Sequence, residues 1–210
     1  MDNRKVLYGT IGLVVIVSAL FILFFIIGGE KKIKNYPSTG TDIVAFGDSL
    51  VQGIGASTPD KNFISILSSK TGKPIVNLGV SGNTTAEGLS RIDELDKYNI
   101  KVALLLLGGN DYLRKVPIDE TFSNLEKIIS KIQSKGAVVL LLGVRGGLLN
   151  DKFDSKFEDL SQKYETAYVP DVLDGILANA KYMSDAIHPN DAGYAVIGER
   201  IYPVLQKLLK

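Results

Sequence analysis

The sequence predicts a three-layer α/β/α sandwich on a mainly parallel sheet of about five strands, preceded by one apolar N-terminal helix. Short apolar, β-branched runs alternate along the chain with apolar stripes at helical spacing. The segments between successive runs are long enough for the helical crossovers that parallel strands require. The first three runs stop at glycine and polar residues, the pattern of buried strands that deliver loops to one sheet edge.

Taken in order, residues 1–5 are a short lead and Val6–Ile27 is an uncharged run rich in Val, Ile, Leu and Phe. As a helix it spans roughly 33 Å, about the thickness of a bilayer's hydrocarbon core. It reads as a transmembrane anchor or a signal sequence. The run continues through Phe24-Phe25-Ile26-Ile27 with no small-x-small cleavage site, which favours an uncleaved anchor. With so short a lead, the amino end is expected inside and the rest of the chain outside the cytoplasm. Residues 28–40 read as a linker, and the folded domain is expected from 41 to 210.

Within that domain, Ile43 to Phe46 is a strand, and Phe63, Ile64, Ile66 and Leu67 mark a helix. Ile75 to Leu78 is a short strand. Thr84 and Glu87 have capping-box spacing and open a helix carrying Leu89, Ile92 and Leu95. Val102–Leu107 and Ala137–Val144 are further strands, with a striped helix through Phe122, Leu125, Ile128, Ile129 and Ile132 between them. A helix near Phe153–Tyr164, a strand at Ala167–Val169 and a last helix through Ile197, Ile201 and Leu208 complete the alternation. Pro203 is expected to kink or restart that last helix.

Composition narrows the chemistry. The chain has 210 residues, enough for one well-buried domain, and its 24 Lys+Arg against 23 Asp+Glu leave it near neutral. Removing residues 1–40 leaves 19 basic against 21 acidic residues, so bulk charge selects no polyanion and no nucleic-acid partner is expected. Cysteine is absent, which excludes disulfides and thiolate chemistry. A single histidine, His188, argues against a multi-histidine zinc site, and no metal or other cofactor is expected.

Ser49 follows the first strand, Gly79-Val80-Ser81-Gly82-Asn83 the second, and Gly108-Gly109-Asn110-Asp111 the third. In a parallel sheet these loops open on one edge, so residues distant in sequence share a pocket. Asp185-Ala186-Ile187-His188 precedes the last helix. Alone, Ser49 reads as a cap, Gly82 as a turn residue, Asn110 as an Asx turn and His188 as a surface residue. Together they are what acyl transfer needs. A serine hydroxyl requires an imidazole to take its proton, and the imidazole requires a carboxylate to fix its tautomer. Asp185 and His188, three residues apart, can meet directly and leave the other ring nitrogen for Ser49. The Ser49 N–H, the Gly82 N–H and the Asn110 side-chain amide can serve the oxyanion. No Gly-x-Ser-x-Gly surrounds Ser49, which separates the chain from nucleophile-elbow hydrolases.

Gly47-Asp48-Ser49-Leu50, Gly82, Gly108-Gly109-Asn110-Asp111 and Asp185-x-x-His188 resemble the four sequence blocks of the SGNH, or GDSL-type, hydrolase superfamily. Asn77 to Leu89 and His188-Pro189-Asn190 are most similar to its arylesterase, acyl-CoA thioesterase and lysophospholipase branch. The resemblance implies a flavodoxin-like fold, Ser49 as nucleophile, His188 as base, Asp185 as its orienter, and Ser49, Gly82 and Asn110 as oxyanion hole. It leaves Asp48 and Asp111 as structural.

The first expectation is a membrane-tethered serine esterase acting on a small acyl ester, thioester or lipid through an acyl-enzyme. Tyr112, Leu113, Arg145, Leu148 and Leu149 are expected to line its substrate groove, although Leu148-Leu149 reads equally as loop packing. A second reading makes the substrate an O-acetyl group on cell-envelope carbohydrate. A third is a catalytically silent binding domain displayed at the membrane.

Overall fold

The computed structural model describes residues 32–145 and 152–210. Five strands, β1 (Asp42–Gly47), β2 (Ile75–Gly79), β3 (Ile100–Leu106), β4 (Val138–Leu142) and β5 (Ala167–Val169), form one wholly parallel sheet in the order β2-β1-β3-β4-β5. The helices are α1 (Ser49–Gln52), α2 (Phe63–Thr71), α3 (Thr85–Ser90), α4 (Gly109–Leu113), α5 (Ile118–Ser134), α6 (Lys152–Lys163) and α7 (Asp191–Leu208). α2 packs on α7, while α5 packs on α3 and α6. With right-handed crossovers these two groups cover opposite faces of the sheet, giving the three expected layers.

Each layer follows from its sequence. β3 and β4 are apolar almost throughout, and Val102–Leu106 and Val138–Leu142 are fully buried. That is the signature of strands covered on both faces. α5 turns Phe122, Leu125, Ile128, Ile129 and Ile132 inward and leaves its charged residues outside. α2 begins where the Asn62 side chain accepts the Ser65 N–H at 2.9 Å and ends at left-handed Gly72. The winding reverses between β1 and β3, which places a switch-point crevice at their carboxyl ends.

Three expectations need correction. The helix opening at Thr84 does not run through Leu95: it stops at Ser90, and a 3₁₀ turn over Ile92–Lys97 carries Leu95 into the core. Arg91, at the break, turns its guanidinium inward onto backbone oxygens, which a continuous helix would not direct there. Of the two outcomes expected at Pro203, a restart is absent, since α7 runs on through it. Pro203 lies on the exposed side with Glu199, whose carbonyl loses only the i→i−4 donor there.

Residues 33–40, expected as linker, are fastened to the domain. The Lys34 N–H donates to Glu165 O (2.8 Å), Asn35 Nδ2 to Gln133 O (2.8 Å) and Ala137 O (3.0 Å), and Ser38 Oγ to Gly136 O (2.9 Å). The apolar run Val6–Ile27 lies outside the described residues; among those described, no helix is long and apolar enough to cross a membrane.

Candidate active site

β1 ends at Gly47, and the next residue caps α1. One Asp48 carboxylate oxygen accepts the Leu50 N–H at 3.0 Å, so Ser49 becomes the first residue of the helix. At that position its N–H has no intrahelical acceptor. β2 ends directly against α1, since a side chain on Gly79 would overlap the Gln52 backbone. Ser49 thus stands at the switch-point crevice, 7% exposed.

His188 reaches it from the far end of the chain. Its Nε2 lies 3.1 Å from Ser49 Oγ and its Nδ1 2.8 Å from one Asp185 carboxylate oxygen. The other Asp185 oxygen accepts the N–H groups of Ile187 and His188, both at 2.8 Å, which folds the four residues into a tight loop. The His188 ring bond and these two N–H groups hold the Asp185 carboxyl down at about 2. Ionised Asp185 places the ring hydrogen on Nδ1 and leaves the Nε2 lone pair facing the serine hydroxyl. The base of the loop is tied by Ser184 N–H to His188 O (2.9 Å) and by Asn190, whose side chain both bonds Lys181 O and caps α7.

Asn110 lies in α4 just beyond β3. Its Nδ2 donates to Asn83 O at 3.1 Å and to the second Asp48 oxygen at 3.3 Å. The loops after β1, β2 and β3 are therefore joined at this one amide. Gly82 has φ +81°, a conformation that suits glycine, and its carbonyl accepts from Arg114 at 2.8 Å. Its N–H has no acceptor among the described residues. Asp48 is 3% exposed, and burial pushes its carboxyl up to about 7 against the opposing pull of the Leu50 N–H.

Asp48, Ser49, Asn110 and His188 open into a cavity of about 380 Å³ whose walls are largely apolar. Tyr112, Leu113 and Arg145 line it; Gly82 does not, and Leu148 and Leu149 lie outside the described residues. The cavity also takes Leu50, Leu173, Leu177 and Ile187, which sequence reasoning missed. Leu173 and Leu177 follow β5, so the rule that strand ends share one edge could have found them. Arg145 is held at the cavity rim by Asp154 (2.8 Å) and Asp171 (3.5 Å).

A hydroxyl, an imidazole and an ionised carboxylate in one hydrogen-bonded line beside an apolar cavity are the parts of acyl-transfer chemistry. Comparison with known proteins agrees. Residues 45–196 match the GDSL-like Lipase/Acylhydrolase family. The chain is 28% identical to an arylesterase of Vibrio mimicus over 90% of its own length and 96% of that protein's. It is 27% identical to thioesterase 1/protease 1/lysophospholipase L1 of Escherichia coli strain K12, over 80% and 84%. The crystal structure of TesA superposes with a TM-score of 0.72 at 27% identity, over 80% of this chain and 99% of that one. The chain therefore belongs to the GDSL-like lipase/acylhydrolase family and is a carboxylic ester hydrolase of the GDSL type.

Proposed function

We propose that the protein cleaves acyl esters or thioesters through an acyl-enzyme formed on Ser49. His188 Nε2 takes the hydroxyl proton as Ser49 Oγ attacks the acyl carbon, and Asp185 stabilises the imidazolium that results. The Ser49 and Gly82 N–H groups and Asn110 Nδ2 receive the oxyanion. The imidazolium then protonates the leaving alcohol or thiol, and water, activated by the same nitrogen, releases the acid. The observation that carries this reading is the line from Ser49 Oγ through His188 to Asp185, with contacts of 3.1 and 2.8 Å.

The apolar wall formed by Leu113, Leu173, Leu177 and Ile187 supports an acyl group longer than acetyl. Turnover of p-nitrophenyl esters of increasing chain length tests both parts. Rates that rise beyond acetate, with S49A slower by roughly 10⁴-fold or more, are expected. Turnover untouched by S49A would sink the proposal. We also propose that Val6–Ile27 anchors the protein in a membrane with the catalytic domain outside the cytoplasm. Resistance to alkaline carbonate extraction, together with digestion of the domain by protease added outside the cytoplasmic membrane, is the expected result.

A further inference from the structure

Arg91 lies 42 residues beyond Ser49, at the break after α3, and no step described above uses it. Its side chain is only 14% exposed. One guanidinium nitrogen donates to the last carbonyl of β1, Gly47 O (2.8 Å), and to Leu78 O near the end of β2 (3.0 Å). Nε donates to the Asn83 side-chain oxygen at 2.6 Å, and the remaining nitrogen pairs with Glu94 at 3.2 Å. The plane rests on the Phe46 ring, 4.1 Å from its centroid. Burial costs this cation solvation and pulls its pKa down, against a single carboxylate partner.

A partly desolvated cation shared among neutral oxygens is a costly way to finish two strands. What it achieves is geometric, because a rigid planar fork fixes three chain segments at set angles and a lysine cannot. The third of those segments leads to the reaction centre. Asn83, gripped through its side chain, accepts Asn110 Nδ2 on its backbone oxygen at 3.1 Å. The second Asn110 hydrogen goes to Asp48 at 3.3 Å, the longer bond and the one that can turn toward a developing oxyanion. The bond to Asn83 is then the pivot that keeps the amide aimed.

We propose that Arg91 is a positioning residue of the oxyanion site, acting through Asn83 on the Asn110 amide. The proposal rests on the hydrolase reading above. It requires that the contribution of Arg91 appear where charge develops, in kcat, and vanish once the Asn110 amide is gone.

The test is a double-mutant cycle on the full chain, read by p-nitrophenyl ester kinetics and thermal melting. R91K keeps the charge and loses the fork. N83A cuts the relay in a partly exposed loop without touching the strand ends, so it remains informative if R91K folds poorly. Each is expected to lower kcat about tenfold with KM within about twofold, while N110A lowers kcat roughly 10²–10³-fold. In the N110A background, R91K and N83A are each expected to change kcat by less than about twofold. Full multiplication of the losses, a loss confined to KM, or wild-type kcat in both single variants would overturn the proposal. Wild-type enzyme without Ser49-dependent turnover would sink the hydrolase reading and this one together; normal wild-type turnover with unchanged R91K and N83A sinks this one alone.

Discussion

Asp48 is the residue whose chemistry differs most from its sequence reading. It caps α1, and it also presents a buried carboxyl to Asn110 beside Ser49. Burial raises that carboxyl from its ordinary 3.8 to about 7. Below pH 3.8 both folded and unfolded chains hold the proton, and the site does not oppose folding. As pH rises the unfolded chain ionises first, so stability falls until about pH 7, where the loss is complete at about 4 kcal/mol. D48N is expected to remove this dependence. In urea unfolding, the difference in stability between variant and wild type should move by roughly that amount from pH 4 to pH 8, in favour of the variant. A constant difference would show that Asp48 ionises freely. Ser49, Asp185 and His188 were legible because their residue types have few uses together and strand-end topology predicts their meeting. Arg91 and the cavity role of Asp48 were not, since Arg91 reaches Gly47 and Leu78, 44 and 13 residues away, with no spacing to announce it.

At the level of elements, the short helices α3 and α4 hold the loops on which the site depends, and neither buries enough surface to fold alone. α3 was readable from its capping box: Thr84 accepts the Glu87 N–H, and Glu87 accepts the Thr84 N–H at 2.7 Å. Its early end was not, because Ile92 and Leu95 continue the helical period and only the inward turn of Arg91 breaks it. The tie between the two helices is Asp111, fully buried at the start of α4. One of its oxygens accepts the Thr85 N–H at 2.8 Å, and the other accepts the Thr85 and Thr121 hydroxyls. Asn124 on α5 donates to the Thr85 hydroxyl at 3.3 Å, extending the network across the layer. D111A removes the acceptor of the buried Thr85 N–H and hydroxyl and is expected to cost about 3 kcal/mol or more in urea unfolding. T85A, which keeps the backbone bond, should cost less than half as much. Equal losses would mean that the hydroxyl, not the N–H anchor, holds α3 to α4.

Across the folded domain, a parallel sheet separates two ends with different tasks. Ser49, Asn110 and the cavity stand at the carboxyl ends of the strands. Residues 33–38 are fastened at the opposite end, to Gly136 and Ala137 just before β4 and to Glu165 just before β5. Tyr36 also donates to Lys207 O at the end of α7, at 3.1 Å. The alternation of strands and helices made this polarity legible, but the docking was not, because Asn35-Tyr36-Pro37-Ser38-Thr39-Gly40 has no apolar period and bonds mainly through polar side chains to loop carbonyls. Residues 33–40 therefore belong to the same compact unit as the sheet. A chain beginning at Ile33 keeps every cleft contact made among residues 33–210, and its kcat/KM on a soluble p-nitrophenyl ester is expected within about twofold of the full chain. A chain beginning at Thr41 loses the bonds of Lys34, Asn35, Tyr36 and Ser38, and should be less stable by roughly 2–4 kcal/mol. Its melting temperature should fall by about 5 °C or more while kcat/KM at low temperature stays near wild type, since the lost contacts lie a full sheet length from Ser49. A drop in kcat/KM for the chain beginning at Ile33 would show that the segment before it contributes to the cleft.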